Sequence, residues 1–202
     1  MPQPTKATTT QKVCAWILRA CGWSVVFRWP PVPKCVVIFY PHTSNWDFIW
    51  GVLAYMSLGW KVHWCAKDNW FRWPLGILAH ALGGIPVNRR ERTGFVEQLK
   101  RRYESEDELY IAITPEGTRS RTDHWKSGFY HLALATGHLV GLGFIDRPTK
   151  RIGIDTYIPL SGREEEDLET FRAYYADKRG VRSQLAGDIR FIHSNARNRV
   201  SS

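Results

Sequence analysis

CVVIFYPHTSNWD, residues 35–47, decides how the chain is read. Residues 35–40 are apolar, rich in Val, Ile and aromatics and without polar alternation, as in a strand buried on both faces. Pro41 ends that run. Thr43 and Ser44 are good N-cap residues, and Phe48, Trp50, Val52, Leu53 and Met56 supply the apolar positions of a buried or half-buried helix. His42 and Asp47 are therefore expected at a strand-to-helix turn. Within one regular helix, five steps of about 100° would point them about 140° apart, too far round to touch. With His42 in the turn and Asp47 in the first helical turn, the carboxylate can hold one imidazole nitrogen, the base-plus-orienter arrangement of a hydroxyl-activating site. The spacing alone fits equally well a His42 that merely caps the helix and an Asp47 that favours its positive end.

Outward from this turn the chain alternates. Strands are expected over residues 61–66, 83–87, 109–114, 139–145 and 151–158, with helices over about 93–103, 127–136 and 161–175. Residues 70–82, interrupted by Pro74 and Gly76, read as a short helix under a pocket. Strands alternating with helices mean one α/β domain with a central mixed, largely parallel sheet flanked by helices. Pro115-Glu116-Gly117-Thr118-Arg119-Ser120 also follows an apolar strand, so it belongs at the sheet edge that carries His42, where open α/β sheets bind ligands. Gly117 permits close backbone approach, and Arg119 offers a planar fork for phosphate or carboxylate. Lys67 ends one strand and Arg89 closely follows another, so three cations, Lys67, Arg89 and Arg119, form a candidate phosphate cradle.

Before the turn, Val13, Trp16, Ile17, Ala20, Trp23 and Phe27 fall at helical steps. The first 46 residues hold five Lys or Arg and no acid. The run is too short, and too interrupted by Arg19, for a membrane span, and it lacks a cleavage site. A basic helix with a Trp-rich face reads as interfacial, lying on an anionic membrane surface; packing on its own domain is the alternative. Three segments follow: 1–34, a basic amphipathic stretch with a Pro-rich connector; 35–180, the α/β domain; and 181–202, a basic tail. The net charge of +9 implies an anionic partner without choosing it, and no groove-reading element points to nucleic acid. Four cysteines without a C-x-x-C pair suit reduced, buried thiols in the cytosol.

The joint pattern resembles the glycerolipid acyltransferases related to 1-acyl-sn-glycerol-3-phosphate acyltransferase. His42-Thr-Ser-Asn-Trp-Asp47 is similar to their first block, Lys67 through Arg89 with Pro74, Gly76, Gly83 and Pro86 to their second, and residues 115–120 to their third. The likeness spans about residues 35–160. It departs at Pro41, where Asn is frequent, at Thr114, where Phe is common, and at residues 139–146, which lack the proline of the fourth block. The resemblance implies transfer of a fatty acyl group from acyl-CoA or acyl carrier protein to a hydroxyl of a lysophospholipid or glycerol phosphate. His42 is then the general base and Asp47 its partner; Glu116, Gly117, Thr118 and Arg119 bind the acceptor, and Lys67 and Arg89 contact phosphate. It implies no metal and no prosthetic group, and a cytoplasmic enzyme held peripherally on the inner face of the membrane. Two alternatives are the same chemistry on another lysolipid and an inactive membrane-binding module.

Overall fold

The computed structural model describes residues 6–87 and 92–192. Seven strands form one sheet: β1 (Ser24–Phe27), β2 (Lys34–Tyr40), β3 (Val62–Lys67), β4 (Gly84–Val87), β5 (Leu109–Ile113), β6 (Leu139–Asp146) and β7 (Arg151–Ile158), in the order β1-β7-β6-β2-β5-β3-β4. All neighbours are parallel except β6 and β7, whose antiparallel pairing reverses β7 and β1 relative to the other five. The α/β expectation therefore holds, with a mixed and mostly parallel sheet.

The helices are α1 (Thr9–Ala20), α2 (Asn45–Leu58), α3 (Leu75–Ala81), α4 (Arg92–Ser105), α5 (Gly128–Thr136) and α6 (Glu164–Tyr175). After β2 the chain crosses through α2 to β3; after β5 it crosses through α5 to β6, on the other side of β2. Two right-handed crossovers leaving in opposite directions put their helices on opposite faces, so the adjacent carboxyl ends of β2 and β5 are a topological switch point.

β2 shows the two faces by alternation. Val36, Ile38 and Tyr40 join the large core under α4, α5 and α6, with Leu99, Phe129 and Phe171. Cys35 and Val37 pack on the other side with Trp60, Val62 and Ile154, while Leu18 of α1 and Ala54 of α2 meet Trp23, Ile145 and Ile152.

The N-terminal region departs from the expected continuous helix. Thr8 and Gln11 form a capping box that starts α1, but Gly22 takes a left-handed φ of 78°, a conformation glycine adopts without strain, and the β-branched Val25 and Val26 then enter a strand beside β7. Trp23 is buried and Phe27 is a strand residue. The face that α1 buries is Gln11, Cys14 and Leu18; Val13 and Trp16 point outward. Among the cysteines, which are all free, Cys14 and Cys35 are buried as expected, but Cys21 is exposed. Residues 181–191, set apart above as a basic tail, pack on the domain: Phe191 reaches the large core, and the backbone N–H of Trp125 donates to the Arg190 carbonyl. No helix among the described residues is long and apolar enough to cross a membrane.

Candidate active site

The β2–α2 turn is built around one carboxylate. Ser44 is the N-cap of α2, its hydroxyl accepting the Trp46 amide at 3.2 Å, and Asp47 is the N3 partner of a capping box. Asp47 Oδ2 accepts the backbone N–H of Thr43 and of Ser44, each at 2.7 Å, and lies 3.4 Å from the Thr43 hydroxyl. The helix-capping role of Asp47 is thus present. The fold-back brings His42 Nδ1 to 4.0 Å from Asp47 Oδ2, closer than a shared helix allows and longer than a hydrogen bond. Both His42 Nδ1 and Asp47 Oδ1 are buried without a hydrogen-bond partner. A small rotation would join them, and such contacts commonly tighten only when substrate binds.

Burial sets the chemistry of the imidazole. His42 is pushed down to about 4, first by removal from water and then by the Arg119 guanidinium. Asp47 is itself pushed up by burial, opposed by the amides of Thr43 and Ser44. Near neutral pH His42 is therefore an uncharged imidazole beside a buried carboxyl group.

Glu116 occupies a place that the resemblance did not imply. It is 1% exposed, and its two oxygens accept the His42 N–H at 2.6 Å and the Gly187 N–H at 2.8 Å. Expected as an acceptor contact, it ties the His42 backbone to the C-terminal segment. Burial pushes its carboxyl up to about 7, against the two amides. A second tie runs beside it, the Arg182 N–H donating to the Thr43 hydroxyl at 3.0 Å. Gly187 and Arg182 carry no sequence signal for these ties, and Thr43 reads from the sequence only as a helix cap, because local signals do not reach across these separations.

Gly117, Thr118 and Arg119 line a cavity at the ends of β2 and β5, as do His42, Asp47 and Lys67. Gly117 has φ 62°, the left-handed value that requires glycine in this turn. Arg119 is exposed and its guanidinium sits 5.9 Å over the Trp70 ring. Arg89, the third expected cation, lies outside the described residues. From this polar mouth the cavity, about 350 Å³, runs beneath α2 along the sheet, walled by Val37, Phe48, Val52, Leu58, Trp60 and Ile154. Its size suits a small ligand or a lipid tail, and its inner wall offers that tail mostly apolar contact. No group of three or more His, Cys, Asp or Glu among the described residues is arranged to hold a metal ion.

A solved structure shares this architecture. The 1-acyl-sn-glycerophosphate (LPA) acyltransferase PlsC of Thermotoga maritima superposes with a TM-score of 0.55 over 83% of this chain and 75% of its own, at 18% identity, which establishes a common fold. No curated protein sequence matches the chain. Residues 30–150, more than half of the chain, match the Acyltransferase family model. That span contains the His42 turn, the Glu116 to Arg119 turn and most of the cavity wall between them, and the chain belongs to the acyltransferase family.

Proposed function

We propose that the protein transfers a fatty acyl group from a thioester donor, acyl-CoA or acyl carrier protein, to a hydroxyl of a lysophospholipid or glycerol-phosphate acceptor. The observation that carries this reading is a half-buried, neutral His42 where an apolar cavity meets a rim of cations. An acyl chain fits the apolar depth beneath α2; an anionic head group fits Lys67 and Arg119, the latter through two parallel N–H groups.

With Nδ1 turned toward Asp47, Nε2 is the atom left to face the acceptor. It takes the proton as the acceptor oxygen attacks the thioester carbonyl, and Asp47 stabilises the imidazolium so formed. The tetrahedral intermediate then expels the thiolate, which recovers that proton from His42. An oxygen–carbon bond replaces a sulfur–carbon bond, and the base ends as it began. Because the donor is already an activated thioester, direct attack needs no acyl-enzyme and no prosthetic group. A lipid acceptor also calls for attachment at an anionic membrane surface, in keeping with the chain's positive charge.

The test is acyl transfer from labelled acyl-CoA and acyl carrier protein to a panel of lysolipids. His42→Ala is expected to cost roughly two to four orders of magnitude in turnover with the fold unchanged, because a general base contributes about that much. Asp47→Asn should be severe as well and should lower stability by about 1 kcal/mol through the damaged cap. Full turnover by either variant rejects the assignment.

A further inference from the structure

Helix α3 is inside out. Of its seven residues it buries Gly76 and Ala79, and turns Leu75, Ile77 and Leu78 outward at 65%, 69% and 58% exposure. The reason is steric. A Cβ at position 76 would lie 2.1 Å from the Phe71 carbonyl oxygen, and the Ala79 carbonyl oxygen closely faces Gly84, so the helix seats its smallest residues against the domain. Immediately before it stand Trp73, 84% exposed, and Trp70, 42% exposed, the latter at the end of a 3-10 turn, Asp68–Phe71. The short helix expected under the pocket is instead a projecting apolar tip beside the pocket.

The position of this tip is the second observation. Twelve large apolar side chains are exposed among the described residues; nine of them lie on α1, on the first turns of α2 and within residues 70–78. Aromatic contacts join α2 to residues 70–78: Phe48 of α2 packs on both Trp64 and Trp70. Trp70 also lines the cavity mouth and lies under Arg119. Charge is the third. Residues 6–82, which include all of these elements, carry eight Lys or Arg against two acids, and one of the two, Asp47, is buried. An apolar tip carrying Trp at its end within a basic surface matches an anionic bilayer, with rings at the head-group level and cations toward lipid phosphates.

We propose that the tip formed by residues 70–78 is the principal membrane-docking element, inserting Trp73, Ile77 and Leu78 into an anionic leaflet so that the cavity mouth opens onto the lipid. Val13 and Trp16 of α1 form a lesser contact. Docked this way, a lysolipid reaches the cavity mouth along Trp70, its tail remaining in the leaflet while its head group meets Lys67 and Arg119. The proposal rests on the lipid-acceptor reading only for that last step; docking itself is independent of turnover.

The experiment is co-sedimentation of the full chain with phosphatidylglycerol–phosphatidylcholine vesicles at low and high salt, with no substrate present. The combined variant Trp73→Ser, Ile77→Ser, Leu78→Ser should bind at least about a hundredfold more weakly, since each loses the burial of a large apolar side chain. The pair Val13→Ser, Trp16→Ser should lose less. Both should keep the native circular dichroism spectrum and the activity on a soluble short-chain acceptor. Trp73→Phe, which is expected to fold and sediment normally, should lose most of the tryptophan quenching that brominated lipids cause in the parent chain. Unchanged sedimentation of the combined variant, or unchanged quenching in Trp73→Phe, overturns the proposal. So does a parent chain that dimerises through this tip and is monomeric once the tip is made polar, since the occupant is then a second copy.

Discussion

The two faces of the sheet are built from alternate residues of the same strands and have opposite fates. On one, α5 fully buries four of nine residues, Phe129, Tyr130, Leu132 and Ala133, in a core continuous with α4 and α6. On the other, α2 is as apolar in composition but fully buries only Asp47 and Ala54 of fourteen, because the space beneath it is a cavity. A filled face fixes the strands, and the hollow face can then be left open where a ligand belongs. The β2–α2 turn stands at the seam, with His42 lining the hollow and its backbone held by Glu116 and the C-terminal segment.

The largest effect that separates the faces is a truncation on each. Phe129→Ala removes a ring packed between Trp125, Tyr130, Phe171 and Phe191, and should destabilise the fold by about 3–5 kcal/mol. Phe48→Ala, in a side chain that lines the cavity, leaves space next to existing space and should cost about 1 kcal/mol while altering activity. Urea unfolding measures both. Equal losses would mean that the hollow face is as much a part of the folding core as the filled one.

The seam itself is tested by pH. Glu116 is raised from its ordinary value to about 7, so the folded state binds its proton more tightly than the unfolded chain, and its contribution to stability fades as pH rises between about 4.5 and 7. His42 is lowered from 6.5 to about 4, so its contribution is present above 6.5 and fades as pH falls toward 4. The two trends oppose each other over nearly the same window. Glu116→Gln removes the first and exposes the second: relative to the parent, the variant should gain stability from pH 4.5 to 7, by on the order of 2 kcal/mol. It should lower kcat, through a loosened His42, more than it raises KM for the acceptor. Parallel stability profiles, or an effect confined to KM, would return Glu116 to the acceptor-binding role.

What was legible in the sequence is what local rules govern. The β2–α2 turn shows in a strand run, a proline and a cap within thirteen residues, and the Glu116 to Arg119 turn in an apolar strand followed by a glycine. Chemistry that spans the chain was not legible: Gly187 reaches Glu116 across 71 residues and Arg182 reaches Thr43 across 139. Helical periodicity also ran through Gly22 into residues that a neighbouring strand captures. In α3 it identified an apolar helix but not which side faces inward, since that depends on the clearance at Gly76.

The smallest effect on stability belongs to Gly51, and it divides the faces most sharply. This glycine lies in α2, lines the cavity, and has nothing within 4 Å of where a Cβ would stand. Its lack of a side chain answers no backbone strain and no tight neighbour within the protein; it leaves room. Gly51→Leu should therefore leave stability unchanged or raise it by up to about 1 kcal/mol, because leucine is the better helix former. The side chain would fill part of the volume under α2 proposed for the acyl tail, so turnover with long-chain donors should fall about tenfold or more relative to short-chain donors. A donor series of increasing length, assayed beside urea unfolding, reads both quantities. Loss of stability would place Gly51 in packed structure, and an unchanged length preference would mean that the tail does not run beneath α2.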